Sequence, residues 1–195
     1  IIVLLISQVL VAQIRPNSKR QKEAIRQYGF SIFSVADVKS DSIRILAFLS
    51  VPNHVLQFLK IKDGFEAEYE ATISLKRKKG NLVGRRNWSN KLKTIDYLES
   101  TSKEILTIHQ VEFKVVPGDY VISAELLDGD SKNSGVREKE LKYSEHKGDL
   151  ALYTPFFLDY LSGNWGLDDN EIPMFQNIMG AKVTRASFFV SGKIK

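Results

Sequence analysis

Residues 65–76 read Phe65-Glu66-Ala67-Glu68-Tyr69-Glu70-Ala71-Thr72-Ile73-Ser74-Leu75-Lys76. Apolar and polar side chains alternate along this stretch. A helix would scatter these residues around its axis, whereas a strand sorts them onto two faces. One face then carries Phe65, Ala67, Tyr69, Ala71, Ile73 and Leu75. The other carries three glutamates, Thr72, Ser74 and Lys76. A buried face backed by a wet one is the pattern of an antiparallel sheet solvated on one side. The expected fold class is therefore all-β.

The same reading extends outward in both directions. Lys79-Gly80-Asn81 has the composition of a tight hairpin turn, so residues 82–93 should return as a partner strand. Gly84 is placed for a bulge, and Trp88 is expected on the buried side. Upstream, the β pattern begins at Phe30. Ile43, Ile45, Ala47 and Leu49 alternate with Arg44, Leu46 and Phe48, giving a strand apolar on both faces. Pro52 and Asn53 break it, residues 55–61 read as a short strand, and Lys62-Asp63-Gly64 reads as a turn. Downstream, residues 94–103 form a polar connection around Tyr97 and Leu98. Residues 105–116 are strand-like, with Val111, Phe113 and Val115 on one face. Pro117-Gly118-Asp119 turns into a strand whose Tyr120, Ile122, Ala124 and Leu126 share a face. After a loop at 128–135, residues 136–143 return. Roughly seven or eight short strands at this spacing, without a helical period between them, predict an Ig-like antiparallel β-sandwich over residues 30–146. Residues 145–149 read as a linker. Residues 150–195 read as the beginning of a second β domain.

The chain has 195 residues, 43% apolar and 26% charged, which suffices for a core without covalent staples. It has no cysteine, which excludes disulfides, thiolate chemistry and cysteine-ligated metal centres. Residues 1–12 (IIVLLISQVLVA) are uncharged and too short to span a bilayer. They read as the apolar core of a signal peptide with Ala12 before the cut. Export to the periplasm, the outer membrane or the extracellular space is the expected location. No cysteine follows the apolar run, so no lipoprotein anchor and no stable membrane insertion are expected after cleavage. Residues 187–195 run as a strand to the last residue, and the chain is expected to be the front part of a longer protein.

Charge is unevenly spread. The formal net charge is +5, and Arg15, Lys19, Arg20, Lys22 and Arg26 face only Glu23 in residues 1–27. The sequence pI of about 9.3 thus belongs mostly to a basic arm at residues 13–29. A nucleic-acid binder needs a basic face on the fold itself, and no nucleic-acid partner is expected. The compact basic cluster of the body is Lys76-Arg77-Lys78-Lys79 with Arg85 and Arg86. It reads as a solvated turn whose charges discourage edge pairing, with contact to phosphate, lipid A or an acidic polymer as the alternative.

No constellation carries catalysis. His54, His109 and His146 are far apart and lack partners at ligand spacing. Asp128-Gly129-Asp130-Ser131-Lys132-Asn133 begins like a calcium loop, but Lys132 stands where an oxygen ligand is needed and Lys139 where the closing glutamate belongs. It reads as a hairpin loop. Asp168, Asp169, Asn170 and Glu171 likewise read as a solvated loop. No nucleophile elbow, P-loop or dinucleotide fingerprint is present. Asn87-Trp88-Ser89 matches a glycosylation acceptor, which matters only in a eukaryotic secretory pathway. Trp88, Trp165 and Tyr160 are candidate stacking platforms for sugars, weighed against the usual core role of sandwich aromatics. No catalytic, cofactor-binding or metal-ligating residues are assigned, and no cofactor is expected.

Several residues together suggest a family. Val35-Ala36-Asp37 is followed by Val51-Pro52, then Leu56-Gln57-Phe58-Leu59-Lys60, then Gly64-Phe65-Glu66-Ala67-Glu68-Tyr69-Glu70, and later Pro117-Gly118-Asp119-Tyr120. This order resembles the N-terminal β-sandwich region of GWxTD domain-containing proteins, which are bacterial exported proteins. The likeness covers roughly residues 30–195, with the run from Val51 to Glu70 its most specific part. Gly163-Asn164-Trp165-Gly166 departs from the naming motif, which is expected beyond Lys195. The resemblance implies an export signal and Ig-like modules, and it supplies no catalytic residue. The expected function is a non-catalytic envelope protein whose sandwich makes contacts with an envelope or periplasmic protein. The alternative is a glycan- or peptide-binding accessory module of a larger exported protein.

Overall fold

The computed structural model describes residues 25–36, 42–144, 150–152, 156–160, 171–173, 186–189 and 192–194. The described residues up to 144 form eight strands: β1 (Gly29–Ala36), β2 (Ile43–Pro52), β3 (Leu59–Ile61), β4 (Gly64–Arg77), β5 (Leu82–Thr94), β6 (Leu106–Val115), β7 (Gly118–Asp128) and β8 (Ser134–Tyr143). Every pairing is antiparallel. One sheet has the order β1-β2-β6; the other has β3-β4-β7-β8, with β5 also paired to β4. The β4 residues 69–77 pair with β7, while 64–66 pair with β3 on that same edge and β5 lines the opposite edge. Strands β5-β4-β7-β8 thus face β1-β2-β6 as the two layers of an Ig-like sandwich. The short turn after β4 keeps β5 in the same sheet as β4. The chain crosses between the sheets after β2, after β5 and, through residues 116–117 alone, from β6 to β7.

The core lies between the layers. Ala67, Tyr69, Ala71, Ile73 and Leu75 of β4, with Tyr120, Ile122, Ala124 and Leu126 of β7, meet Ile43, Ile45, Ala47, Leu49 and Val51 of β2 and Phe113 and Val115 of β6. Both faces read as apolar from sequence are therefore buried. Burial of such faces, at about 25 cal/mol per Å² of apolar surface, is the principal stabilising term. β2 is buried on both faces, as its sequence predicts: Leu46 and Phe48, on its other face, are also inaccessible, and the Phe33 ring meets Phe48 edge-on at 5.9 Å. Where the chain turns from β6 into β7, the Tyr120 hydroxyl donates to the Val116 carbonyl at 2.7 Å. This is the tyrosine corner of Greek-key sandwiches.

Three local expectations change. The expected strand at 55–61 is a 3-10 turn, Asn53–Val55, followed by the short strand β3; the Leu56 amide donates back to the Asn53 carbonyl, so the backbone is already committed to a turn. The connection after β5 contains one helical turn, Tyr97–Ser100, capped by Asp96, whose side chain accepts from the Leu98 amide at 2.8 Å. The core also begins before residue 30. Ile25 and Tyr28, within the expected basic arm, are buried, and Tyr28 donates to the carbonyls of Ala124 (2.7 Å) and Gly135 (3.2 Å). Gly135 leaves room for this crossing, since a Cβ there would lie 3.0 Å from the Ile25 carbonyl.

Beyond residue 149, β9 (Leu150–Leu152), β10 (Phe156–Tyr160), β11 (Glu171–Pro173), β12 (Ala186–Phe189) and β13 (Gly192–Ile194) form two further antiparallel sheets, ordered β11-β10-β12 and β13-β9. The expected signal segment at 1–12 lies outside the described residues.

Candidate interaction surface

β5 is the outer strand of its sheet. Among the described residues it pairs only with β4, and none of its residues is fully buried. Its 13 residues contain Arg85, Arg86, Lys91 and Lys93 and no carboxylate. The ladder with β4 sets Lys93 opposite Glu66 and Lys91 opposite Glu68. Lys91 Nζ lies 2.7 Å from Glu66 and 2.8 Å from Glu68, and Lys93 lies 3.2 Å from Glu66. These contacts lower the Glu66 pKa and raise that of Lys91. The glutamate row that decides the fold is thus the counter-charge of one half of this edge. Arg85 and Arg86 make no ion pair with a described residue, although Arg85 Nε donates to Asn87 Oδ1 at 3.1 Å.

The hairpin contains the expected irregularity. Leu75 pairs with Gly84, but Lys76 pairs with Leu82. One extra residue therefore sits in β5, a bulge. A Cβ on Gly84 would lie 2.8 Å from the Phe113 ring, so glycine lets β6 approach there. The bulge sets which face every later β5 residue takes. Trp88 pairs with Ala71 and Asn90 with Tyr69 on the core side.

These residues gather around His109, a cluster the sequence did not reveal. His109 of β6 is buried. The Trp88 ring lies 4.8 Å from its imidazole and the Tyr69 ring 5.7 Å away. Burial pushes the His109 pKa down from 6.5 to about 4, so the ring is neutral. The Tyr69 hydroxyl can donate to Nε2 at 2.9 Å while accepting from Asn90 Nδ2 at 3.0 Å. Burial also raises the Tyr69 pKa. The arrangement satisfies buried polar atoms and holds β4, β5 and β6 together. Only the pairing of Tyr69 with Asn90 could have been anticipated, by counting back from the turn through the bulge.

The other candidates separate. His54 Nε2 is 3.2 Å from Gln27 Oε1, and burial lowers its pKa. Asp128 is buried and its carboxylate is occupied by backbone: Oδ2 accepts from the Gln57 amide at 2.6 Å, and Oδ1 from the amides of Asp130 (2.9 Å) and Ser131 (3.0 Å). That is the chemistry of a hairpin loop tied to its neighbours. Trp88 packs against the core. His146, Trp165 and residues 168–170 of the acidic loop lie outside the described residues. In the basic turn, Lys78 pairs with Glu140 at 2.7 Å, and the Arg77 guanidinium stacks 5.7 Å from the Tyr120 ring centre. At the end of the sandwich where β5 stops, Ile95, Tyr97 and Leu98 are exposed.

No family model matches this chain, and no curated protein matches it. Among solved structures, a Bacteroides uniformis β-glucuronidase aligns at 12% identity over 68% of this chain and 14% of its own, with a TM-score of 0.38. β-Glucuronidase 2 of that organism, covalently bound to cyclophellitol-6-carboxylate aziridine, aligns at 12% identity over 85% of this chain and 15% of its own, with a TM-score of 0.34. A calcium-binding mutant of the latter gives 14% identity, the same coverage and a TM-score of 0.35. This chain therefore spans only 14–15% of the length of these proteins.

Proposed function

We propose that this chain is a non-catalytic exported envelope protein whose sandwich is a protein–protein interaction module, in line with its resemblance to GWxTD domain-containing proteins. The open β5 edge supports this reading most directly. An unpaired strand presents a row of backbone donors and acceptors, and pairing with a second chain is one established use of such an edge. The exposed Ile95, Tyr97 and Leu98 at the end of β5 add apolar surface beside it.

The alternative of a peptide-binding accessory module uses the same edge. A glycan platform is less favoured, because Trp88 stacks on His109 and packs against the core. The proposal is tested by capture from a cross-linked envelope fraction with the mature full-length protein. A stoichiometric protein partner is the expected result. Recovery of polysaccharide without protein, or turnover lost on mutating one defined side chain, would overturn it.

A further inference from the structure

The charge on the β5 edge is divided lengthwise. At the end near residue 94, Lys91 and Lys93 are neutralised by Glu66 and Glu68 of β4. At the end near the 77–81 turn, Arg85 and Arg86 are exposed and without ion pairs among the described residues. Protective edge charges account for the lysines, which lie over the sheet's own carboxylates. The unpaired arginines deter a neutral or basic strand in the same way, but they attract one that carries carboxylates.

The register gives these arginines a particular placement. Arg85 stands opposite Ser74, on the face that carries the glutamates, and Arg86 opposite Ile73, on the core side. Consecutive residues of a strand point to opposite faces. An added strand would therefore meet one guanidinium above its plane and one below. A segment with two consecutive acidic residues presents its carboxylates in that same alternation.

We propose that β5 is a strand-addition site for an extended acidic segment of a partner protein, read by Arg85 and Arg86. This rests on the interaction-module reading and adds the site and the partner's chemistry. Backbone hydrogen bonds to the open edge supply the register-independent part of binding. The two arginines fix the register by placing the acidic pair at residues 85–86, away from the neutralised lysines. A nucleic acid fits less well. Its phosphates cannot satisfy both the amides and the carbonyls of the edge, and beyond the two arginines the edge offers it only lysines already paired with Glu66 and Glu68.

The probe is a fluorescent peptide, one average strand in length, of alternating valine and threonine with a central Asp-Glu pair. It is titrated into the full-length protein. Saturable binding is expected, with new amide-exchange protection across residues 82–94. Combined Arg85→Glu and Arg86→Glu substitution should weaken binding roughly tenfold or more, because two attractive pairs become repulsive. Lys91→Glu should weaken it less. N-methylation of alternate peptide amides should abolish binding, and an unchanged thermal midpoint of the double variant confirms its fold. Absence of binding, equal binding by the double variant, protection elsewhere than 82–94, or tighter binding of single-stranded DNA of equal charge would overturn the proposal. Envelope capture with the double variant separates the two readings. A partner still captured leaves the interaction module standing and removes the edge as its site.

Discussion

β4 and β5 are the two arms of one hairpin, 14 and 13 residues long, and their environments are opposite. β4 is hydrogen-bonded along both edges, and Ala67, Tyr69, Ala71, Ile73 and Leu75 are buried. β5 is bonded along one edge and buries nothing completely. The difference lies in position within the sheet: a strand with neighbours on both sides contributes to the core, while an outer strand contributes surface and an unused ladder. The same contrast explains why the folding signal is clean in residues 65–76 and faint in 82–94.

Truncation of one core-side residue in each arm tests the contrast most severely. Ile73→Ala, at a fully buried site in β4, should cost about 2–5 kcal/mol in denaturant unfolding. Leu92→Ala in β5 should cost clearly less, since Leu92 is only partly buried. Equal losses would mean that β5 is covered in a way its pairing does not reveal.

The His109 cluster, where the two arms meet β6, gives the next largest effect. The folded ring stays neutral down to about pH 4, whereas an unfolded histidine takes up its proton near 6.5. Between these values the unfolded chain binds more protons, so stability falls as pH drops from 6.5 towards 4 and then levels off. The loss attributable to His109 should be roughly 3 kcal/mol. Unfolding of His109→Gln across that range should lose less stability than the parent chain by about this amount.

Two smaller substitutions address the bulge and the corner. Gly84→Val should cost about 1–3 kcal/mol, because the new side chain overlaps the Phe113 ring. Tyr120→Phe should cost about 1 kcal/mol through loss of the bond to Val116. Both are read from urea midpoints. The smallest effect belongs to Lys91→Met, whose exposed pairs with Glu66 and Glu68 are screened by salt. Its difference from the parent chain should vanish at high ionic strength.

Much of the sandwich was legible in local sequence, and the reasons are particular. Alternation at 65–76 marked β4 and its buried face. Gly80-Asn81 marked the turn, and Gly84 the bulge. Pro117-Gly118-Asp119-Tyr120 marked the corner, although not the bond it makes. The face of Trp88 also came out correctly, but it depends on the bulge. Without it Tyr69 would meet Ser89, and Trp88 would lie opposite Glu70 on the wet side. The 3-10 turn at Asn53–Val55 was missed because Val55, Leu56 and Phe58 look like strand residues, although two of them are buried by a turn. Ile25 and Tyr28 were missed because basic residues surround them in sequence.

The sequence by itself determined the class of the fold, most strand positions and the hairpins. Strand period and turn chemistry are short-range properties, written within a few neighbouring residues. Tertiary structure alone decided that Tyr28 closes onto Ala124 and Gly135, that Asp128 receives the Gln57 amide, that Tyr69 and Asn90 meet His109, and that Arg85 and Arg86 stand on an open edge. Those contacts join residues distant along the chain, and the order of strands in the two sheets decides which distant residues become neighbours. Local alternation is compatible with many such orders; burying all the apolar faces together selects this one.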